Sequence, residues 1–505
     1  MVTGMAKQPD ILIFMSDQHG ADYAGWGSVP VDTPHLDEMR ANGTTFDSAY
    51  TACPLCVPAR MSMMSGRLPS KTGIFGNNDT LPDMTPCFTH PLVEAGYETV
   101  LIGRMHFVGR DQRHGFTKRL APDLTPVTWT RPFQSLKEER GVLQFTTFDI
   151  GATDIVGAGE SFVEHYDRMV VDTALEYLSQ PHDKPQFILV GTYGPHFPYV
   201  TGVDLYRKYL ERVQLPAFFS KSDLPEYMKQ VPELCARIKS DEVDETAALG
   251  CLAAYCGQIE RMDGQIGELR QALKVYGEKT GRDTVMGYIS DHGDTAGERR
   301  IYGKKTFFDK SAKIPMMFEG IGIPAGKTIG SPVSLMDIGP TVCALAGTEF
   351  GLGEGKNLTP FFNGDEYEDG DRLVVSQSVD KSDRGIVASA MLRWNNYKYI
   401  RYHDERNSKL LFDLSTDPLE STDMKEKMPE LVAWFEEALR NQMDFEDMER
   451  LYAEHERNSS WFRAYEQQVG PDDSERWNGN PPTARGDLAI KTVYRIRKPP
   501  MRKAP

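Results

Sequence analysis

The sequence predicts a layered α/β domain over residues 1–375, a smaller C-terminal α+β subdomain with an antiparallel sheet and a packed helix over 376–477, and a Pro-rich basic tail over 478–505. Three observations carry this reading. Short β-branched or apolar runs alternate with longer helical patterns through most of the chain, the texture of buried, mostly parallel strands. After Gly364 the pattern changes to strand-like segments closed by a turn signal at Asp417-Pro418. From Asn478 the chain turns Pro-rich and then basic through Lys491, Arg495, Arg497, Lys498, Arg502 and Lys503, which reads as a solvated tail in preference to a subunit-clasping arm.

The strand-like runs are 11–15, 99–102, 186–190, 284–289 and 314–318. Thr33-Pro34 opens a helix that closes at Gly43, because Pro is well placed in a first turn and Gly beyond a last one. Residues 244–274 repeat Leu249, Leu252, Cys256, Ile259, Met262, Ile266, Leu269 and Leu273 at helical spacing. In the subdomain, 386–392, 397–402 and 410–414 read as antiparallel strands. A helix over 429–444 covers them with Leu431, Trp434, Phe435, Ala438 and Leu439.

The 505 residues carry 57 Lys and Arg against 73 Asp and Glu, a net charge of −16 that repels polyanions, so nucleic acid is not an expected partner. No apolar stretch approaches the ~20 residues of a membrane helix, and no membrane partner is expected. Seven Cys, an odd count without dense spacing, do not read as a disulfide framework, and the first ten residues lack the apolar core of a secretion signal; a cytoplasmic protein is expected. The Asn-x-Ser/Thr triplets at Asn42, Asn78, Asn357 and Asn458 are read as chance.

Two strand-like runs end in acids, Ser16-Asp17-Gln18 and Ser290-Asp291-His292-Gly293. In open α/β sheets the carboxyl ends of strands line the ligand crevice. Side by side, these runs would bring together two carboxylates, an amide and an imidazole, a set suited to Ca²⁺, Mg²⁺ or Mn²⁺ more than to zinc. Each pair alone reads equally as a cap of the following turn. The third element is Cys53-Pro-Leu-Cys56-Val-Pro58-Ala-Arg60. Pro58 belongs in a first helical turn, which puts Cys56 at a helix N-terminus, where a nucleophile and an anion are both favoured. The Cys53-x-x-Cys56 pair also reads as a redox motif or half a zinc site, although no second Cys pair completes one. His19, His35 and His114 read as structural, Met61, Met63 and Met64 as core under this helix, and Gly351-x-Gly353-x-Gly355 as a loop.

A Cys-x-Pro-x-Arg pattern is expected by chance about 0.03 times in such a chain. It is the pattern at which sulfatases have their Cys converted to formylglycine, and its surroundings agree. Gly103-Arg104-Met105-His106-Phe107-Val108-Gly109, Gly194-Pro195-His196-Phe197-Pro198, and Ser290-Asp291-His292-Gly293-Asp294 leading through Gly297-Glu298-Arg299 to Lys304 follow in order. So do Tyr397-Lys398-Tyr399 and Leu411-Phe412-Asp413-Leu414. Over about residues 8–445 the chain resembles the formylglycine-dependent type I sulfatases of the alkaline phosphatase superfamily, most of all the branch shared by choline sulfatases and phosphonate monoester hydrolases.

The resemblance implies a three-layer αβα sandwich around a large, mostly parallel mixed sheet, and cleavage of a small sulfate monoester to alcohol and sulfate. Cys56 becomes formylglycine through a formylglycine-generating enzyme, and its hydrate attacks sulfur. Asp17, Gln18, Asp291, His292 and residue 56 hold one divalent ion. Arg60, Arg104 and Lys304 surround the sulfate oxygens; His196, with Lys304, serves the leaving alcohol; His106 takes the proton of the second hydroxyl; Asn77 and Trp129 contact substrate. A homo-oligomer is expected.

Departures from the family pattern matter. Most sulfatases carry Asp where Gln18 stands and Asn where His292 stands, which shifts the ion from Ca²⁺ toward Mn²⁺, with Mg²⁺ also accommodated. Arg104 replaces the usual Lys and adds a planar fork. Retention of a basic residue and His106 favours sulfate over the alternative, a phosphonate monoester or phosphodiester hydrolase. In 375–384, Asp380 and Asp383 give no clear match to a choline-binding acid, and the alcohol is not named by the sequence. A non-catalytic metal protein with Cys56 as a thiol is disfavoured by so many basic residues beside it.

Overall fold

The computed structural model describes residues 8–123, 151–239, 243–364, 372–382, 384–469 and 494–495. Eight strands form the main sheet in the order Lys327–Ile329, Gly43–Phe46, Met316–Gly320, Thr284–Ser290, Asp10–Asp17, Gln186–Pro195, Glu98–Gly103 and Lys118–Ala121. The last five are mutually parallel, while Met316–Gly320 runs antiparallel to both neighbours. Strand Asp10–Asp17 is wholly buried, so its alternate side chains serve two cores: Ile11, Ile13 and Met15 on one face, Leu12 and Phe14 on the other. Helices Cys56–Ser65 and Ile338–Leu345 contribute to the first core. Helices Pro34–Asn42, Phe162–Ser179 and Glu245–Thr280 contribute to the second. This is the expected three-layer αβα sandwich. Helix Glu245–Thr280 runs beyond the expected 274 to Gly281, whose left-handed φ of 63° ends it.

A four-stranded antiparallel sheet follows, Leu373–Ser382, Gly385–Trp394, Tyr397–Tyr402 and Lys409–Asp413 in sequence order. Helix Pro429–Gln442 packs Phe435 and Leu439 against Tyr399, Leu411 and Leu392 on one face. On the other face Met391, Ile400 and Phe412 meet Tyr227, Phe307 and Phe308 of the main domain. The first strand spans the expected 375/376 boundary, and a further helix, Phe445–Val469, follows the expected one. Trp129 and nearly all of the tail lie outside the described residues; Tyr494–Arg495 pairs antiparallel with Ile155 and Val156. Among the described residues no helix is long and apolar enough to cross a membrane, and all seven cysteines are free.

Candidate active site

Parallel pairing runs from Asp10 against Thr284 to Ser16 against Ser290, so the next residues, Asp17 and Asp291, emerge at the same level from the carboxyl ends of adjacent strands. Gln18 turns the chain with a φ of 70°, and its N–H donates to Asp291 Oδ1 at 3.0 Å. Cys56 starts helix Cys56–Ser65. No side chain of the preceding residues caps this helix; Asn77 Oδ1 instead accepts the Val57 N–H at 3.0 Å and ties its loop to the helix entrance. One ligand atom from each of Asp17, Cys56, Asp291 and His292 lies within 4.8 Å of the others, and all four residues are buried.

Cations surround this group. Arg60, fully buried, donates from Nε to Asp291 at 2.9 Å, from NH2 to Asp17 at 3.2 Å and from NH1 to the Arg104 carbonyl at 3.2 Å. Its three nitrogens thus all meet protein groups. Arg104 Nε donates to Asp17 at 2.6 Å, NH1 to Asp123 at 3.2 Å and NH2 to His106 Nδ1 at 2.8 Å. Strand Gln186–Pro195 passes close beneath: a Cβ at Gly191 would lie 1.9 Å from the Arg104 carbonyl oxygen, so only glycine fits. Lys304 Nζ reaches Cys56 Sγ at 2.9 Å and His196 Nε2 at 2.8 Å. The expected residues Asp17, Gln18, Cys56, Arg60, Asn77, Arg104, His106, His196, Asp291, His292 and Lys304 therefore form one connected centre.

The hydrogen bonds fix the histidine tautomers. A carbonyl only accepts, so His196 Nδ1 carries its proton toward Phe197 O at 2.8 Å, and Nε2 accepts from Lys304. His292 likewise donates from Nδ1 to Gly293 O at 3.0 Å, leaving its Nε2 lone pair 3.3 Å from Cys56 Sγ. A guanidinium only donates, so His106 Nδ1 accepts from Arg104 and the neutral ring bears its proton on Nε2. Burial, reinforced by Lys304 for His196 and by Arg104 for His106, holds both rings well below the usual histidine range. Burial works to raise the Asp17 carboxyl, yet Arg104, Lys304 and Arg60 together hold it well below the usual carboxylate range. Burial and Asp17 raise the Cys56 thiol, against Lys304.

Three buried carboxylates that the sequence did not single out as site residues support the centre. Asp123 accepts from Arg104 and from the N–H groups of Met105 and His106. Asp294 accepts from Gln18. Asp167 accepts the N–H groups of Tyr193 and Gly194, just before His196. No local pattern distinguishes Asp123 and Asp167 from ordinary loop or helix acids, and Asp294, although it closes the Ser290–Asp294 segment, carries no sign of its partner there.

The donor set fits a divalent cation. The amide oxygen of Gln18 is buried without a hydrogen-bond partner, and the hydrogen bond at His292 Nδ1 leaves Nε2 free to ligate. The thiol of Cys56, raised by burial, is a weak nucleophile as it stands, which suits a position read for conversion.

Fold and centre together define a hydrolase of the alkaline phosphatase superfamily. The chain belongs to the sulfatase family and is a sulfatase: the family model described as Sulfatase matches residues 9–348, and one described as N-sulphoglucosamine sulphohydrolase, C-terminal, matches 297–445. It is 32% identical to a choline-sulfatase of Rhizobium meliloti (strain 1021) over 445 residues, 84% of this chain and 83% of that one. It is 27% identical to arylsulfatase K of Danio rerio over 503 residues, 93% and 91% of the two chains. Among solved structures, the phosphonate monoester hydrolase of Agrobacterium radiobacter superposes with a TM-score of 0.67 at 22% identity, over 88% of this chain and 96% of that one. A 2-O GAG sulfatase superposes with a TM-score of 0.65 at 22% identity, over 94% and 98%. These structures share the fold.

Proposed function

We propose that this sulfatase cleaves a small sulfate monoester with residue 56 as formylglycine, installed by a formylglycine-generating enzyme, and with one divalent cation held by Asp17, Gln18, Asp291, His292 and residue 56. The observation that carries this is the meeting of Cys56 Sγ with two carboxylates, an imidazole and the Lys304 ammonium. When present, the cation supplies Lewis acidity at a sulfate oxygen and the formylglycine hydrate supplies a hydroxyl nucleophile. Arg60 and Arg104 balance the two carboxylates and keep Asp17 ionised. Lys304 holds the proton for the departing alcohol oxygen, and the neutral His196 orients it through Nε2. His106 enters as a donor from Nε2 to a sulfate oxygen. That replaces the proton-accepting role expected from the resemblance, since its Nδ1 already accepts from Arg104. Asn77 acts at the helix entrance, where its Oδ1 accepts the Val57 N–H beside residue 56.

The test is kcat/KM for one alcohol carried as sulfate monoester, phosphate monoester, phosphodiester and phosphonate monoester, with Cys56→Ala as control. Sulfate leading by several powers of ten with a dead control supports the reading. The second reading, a phosphonate monoester or phosphodiester hydrolase, fits the fold shared with the Agrobacterium radiobacter enzyme and prevails if either of those esters leads. Mass analysis of the peptide containing residue 56 reads the conversion directly.

A further inference from the structure

Gln18 and Asp294 are both fully buried and joined by one short hydrogen bond, Gln18 Nε2 to Asp294 Oδ2 at 2.6 Å. Asp294 is saturated with donors. Oδ2 also accepts the Tyr199 hydroxyl at 2.8 Å, and Oδ1 accepts the N–H groups of Ala296 at 2.8 Å and Gly303 at 2.9 Å. With every partner a donor, Asp294 must present an oxygen to residue 18, and residue 18 must answer with N–H. The amide nitrogen and oxygen of Gln18 sit on opposite sides of one carbon, so fixing Nε2 on Asp294 turns Oε1 away from it. That oxygen is the buried atom without a partner. The Gln18 backbone cannot swing to compensate, because its N–H is held by Asp291 and its carbonyl by Tyr255 at 2.6 Å.

We propose that Asp294 is the positioning residue of the cation site: it sets the flip state of the Gln18 amide so that Oε1 faces the ion, and it is the reason residue 18 is an amide and not an acid. The inference rests on the cation site of the preceding section. A carboxylate at 18 would put two anionic oxygens at the 2.6 Å contact; an amide there presents one neutral oxygen to the ion and gives its N–H to Asp294. The coupled pair is reversible in principle: Glu at 18 with Asn at 294 keeps the shape and hydrogen-bonds in the opposite sense.

The experiment strips the full-length enzyme with chelator and titrates Mn²⁺ alone, following free Mn²⁺ by electron paramagnetic resonance, for wild type, Gln18→Glu, Asp294→Asn, the double variant and Asp291→Ala. Melting temperatures of the stripped proteins report folding separately. Each single change is expected to weaken Mn²⁺ binding by about 10-fold or more, as loss of an outer partner of a ligand does, while the double variant returns to within about 3-fold of wild type. Losses that multiply in the double variant, or singles that bind as wild type does, overturn the inference. Gln18→Glu changes one atom and decides alone if Asp294→Asn does not fold: added negative charge by itself would tighten Mn²⁺, so equal or tighter binding overturns the coupling. If Asp291→Ala also binds Mn²⁺ as wild type does, the cation site itself is wrong and the inference falls with it; if Asp291→Ala loses Mn²⁺ while the double variant is merely multiplicative, only the coupling is wrong.

Discussion

The carboxylate of Asp123 lies against the backbone of His106 and accepts its N–H at 2.7 Å, while the same oxygen takes the Met105 N–H at 3.1 Å. His106 sits at a φ of 57°, a left-handed conformation that costs a non-glycine residue about 1 kcal/mol or more and persists only where surroundings impose it. Asp123 imposes it, and through Arg104 NH1 it holds the guanidinium that sets the His106 tautomer.

Asp123→Ala is therefore expected to lower kcat by about 10- to 100-fold with a smaller effect on KM, because the ring loses its aim while the cationic pocket remains. Asp123→Asn keeps one acceptor oxygen and is expected to lose less. Steady-state kinetics with melting curves for both variants check this; equal losses in kcat and melting temperature for the two variants would mean a purely structural role.

Lys304 bridges residue 56 and His196. If it supplies the proton to the departing oxygen, Lys304→Ala should cost about 10²- to 10⁴-fold on an alkyl sulfate and much less on a nitrophenyl sulfate, whose leaving group needs no proton. His196→Ala should show the same leaving-group dependence, and the double variant should lose little more than Lys304→Ala alone. A loss independent of the leaving group would assign Lys304 to binding the sulfate.

The centre was legible in unequal parts. Asp17 and Asp291 were marked by their position at the ends of apolar runs, and the register that sets them level follows from two adjacent parallel strands. Cys56 was marked by Pro58 and Arg60. His196 and Lys304 touch across 108 positions of sequence, and only the family resemblance put them in one place. Asp123, Asp167 and Asp294 act by accepting backbone or amide N–H groups in the folded state, a role that leaves no trace in residue type or spacing. In the subdomain, strand Leu373–Ser382 interleaves Ser376, Gln377 and Ser378 with its valines, and these polar residues are buried, so the apolar signal of a strand was diluted. Helix Phe445–Val469 places just Met448 among the buried hydrophobic residues of the described chain, too little for an apolar stripe.

Burial raises the Asp167 carboxyl to about 6 from 3.8. A carboxyl whose folded value lies above its unfolded value binds its proton more tightly in the native state, so its contribution to stability is full below about pH 4 and is lost as pH rises through about 6. Asp167→Asn removes this titration. The gap in melting temperature, wild type minus variant, is expected to shrink between about pH 4 and about pH 7. A gap that widens over this interval would reverse the sign and refute the assignment. Because Asp167 holds the N–H groups of Tyr193 and Gly194, the variant should also raise KM through displacement of His196.

Lys398, in strand Tyr397–Tyr402, is fully buried and anchors the small sheet to the main domain, donating to Glu420 at 2.7 Å, to the Phe307 carbonyl at 3.1 Å and to Asp309. The ammonium holds the Asp309 carboxyl down to about 2 despite its burial, whereas burial leaves Glu420 above its usual value. Removing one partner of such a group strands the others without a counter-charge, at a cost of about 3–5 kcal/mol; removing charges together costs much less. Lys398→Met should lower the free energy of unfolding by an amount of that order, read as a lower urea midpoint at unchanged slope, and Lys398→Met with Glu420→Gln should recover a large part of it, because a neutral amide replaces the stranded carboxylate. Urea unfolding followed by tryptophan fluorescence separates the cases, since Trp394 and Trp434 lie within this subdomain. A single variant as stable as wild type would show that packing of Met391, Ile400 and Phe412, and not the buried charges, holds the two sheets together.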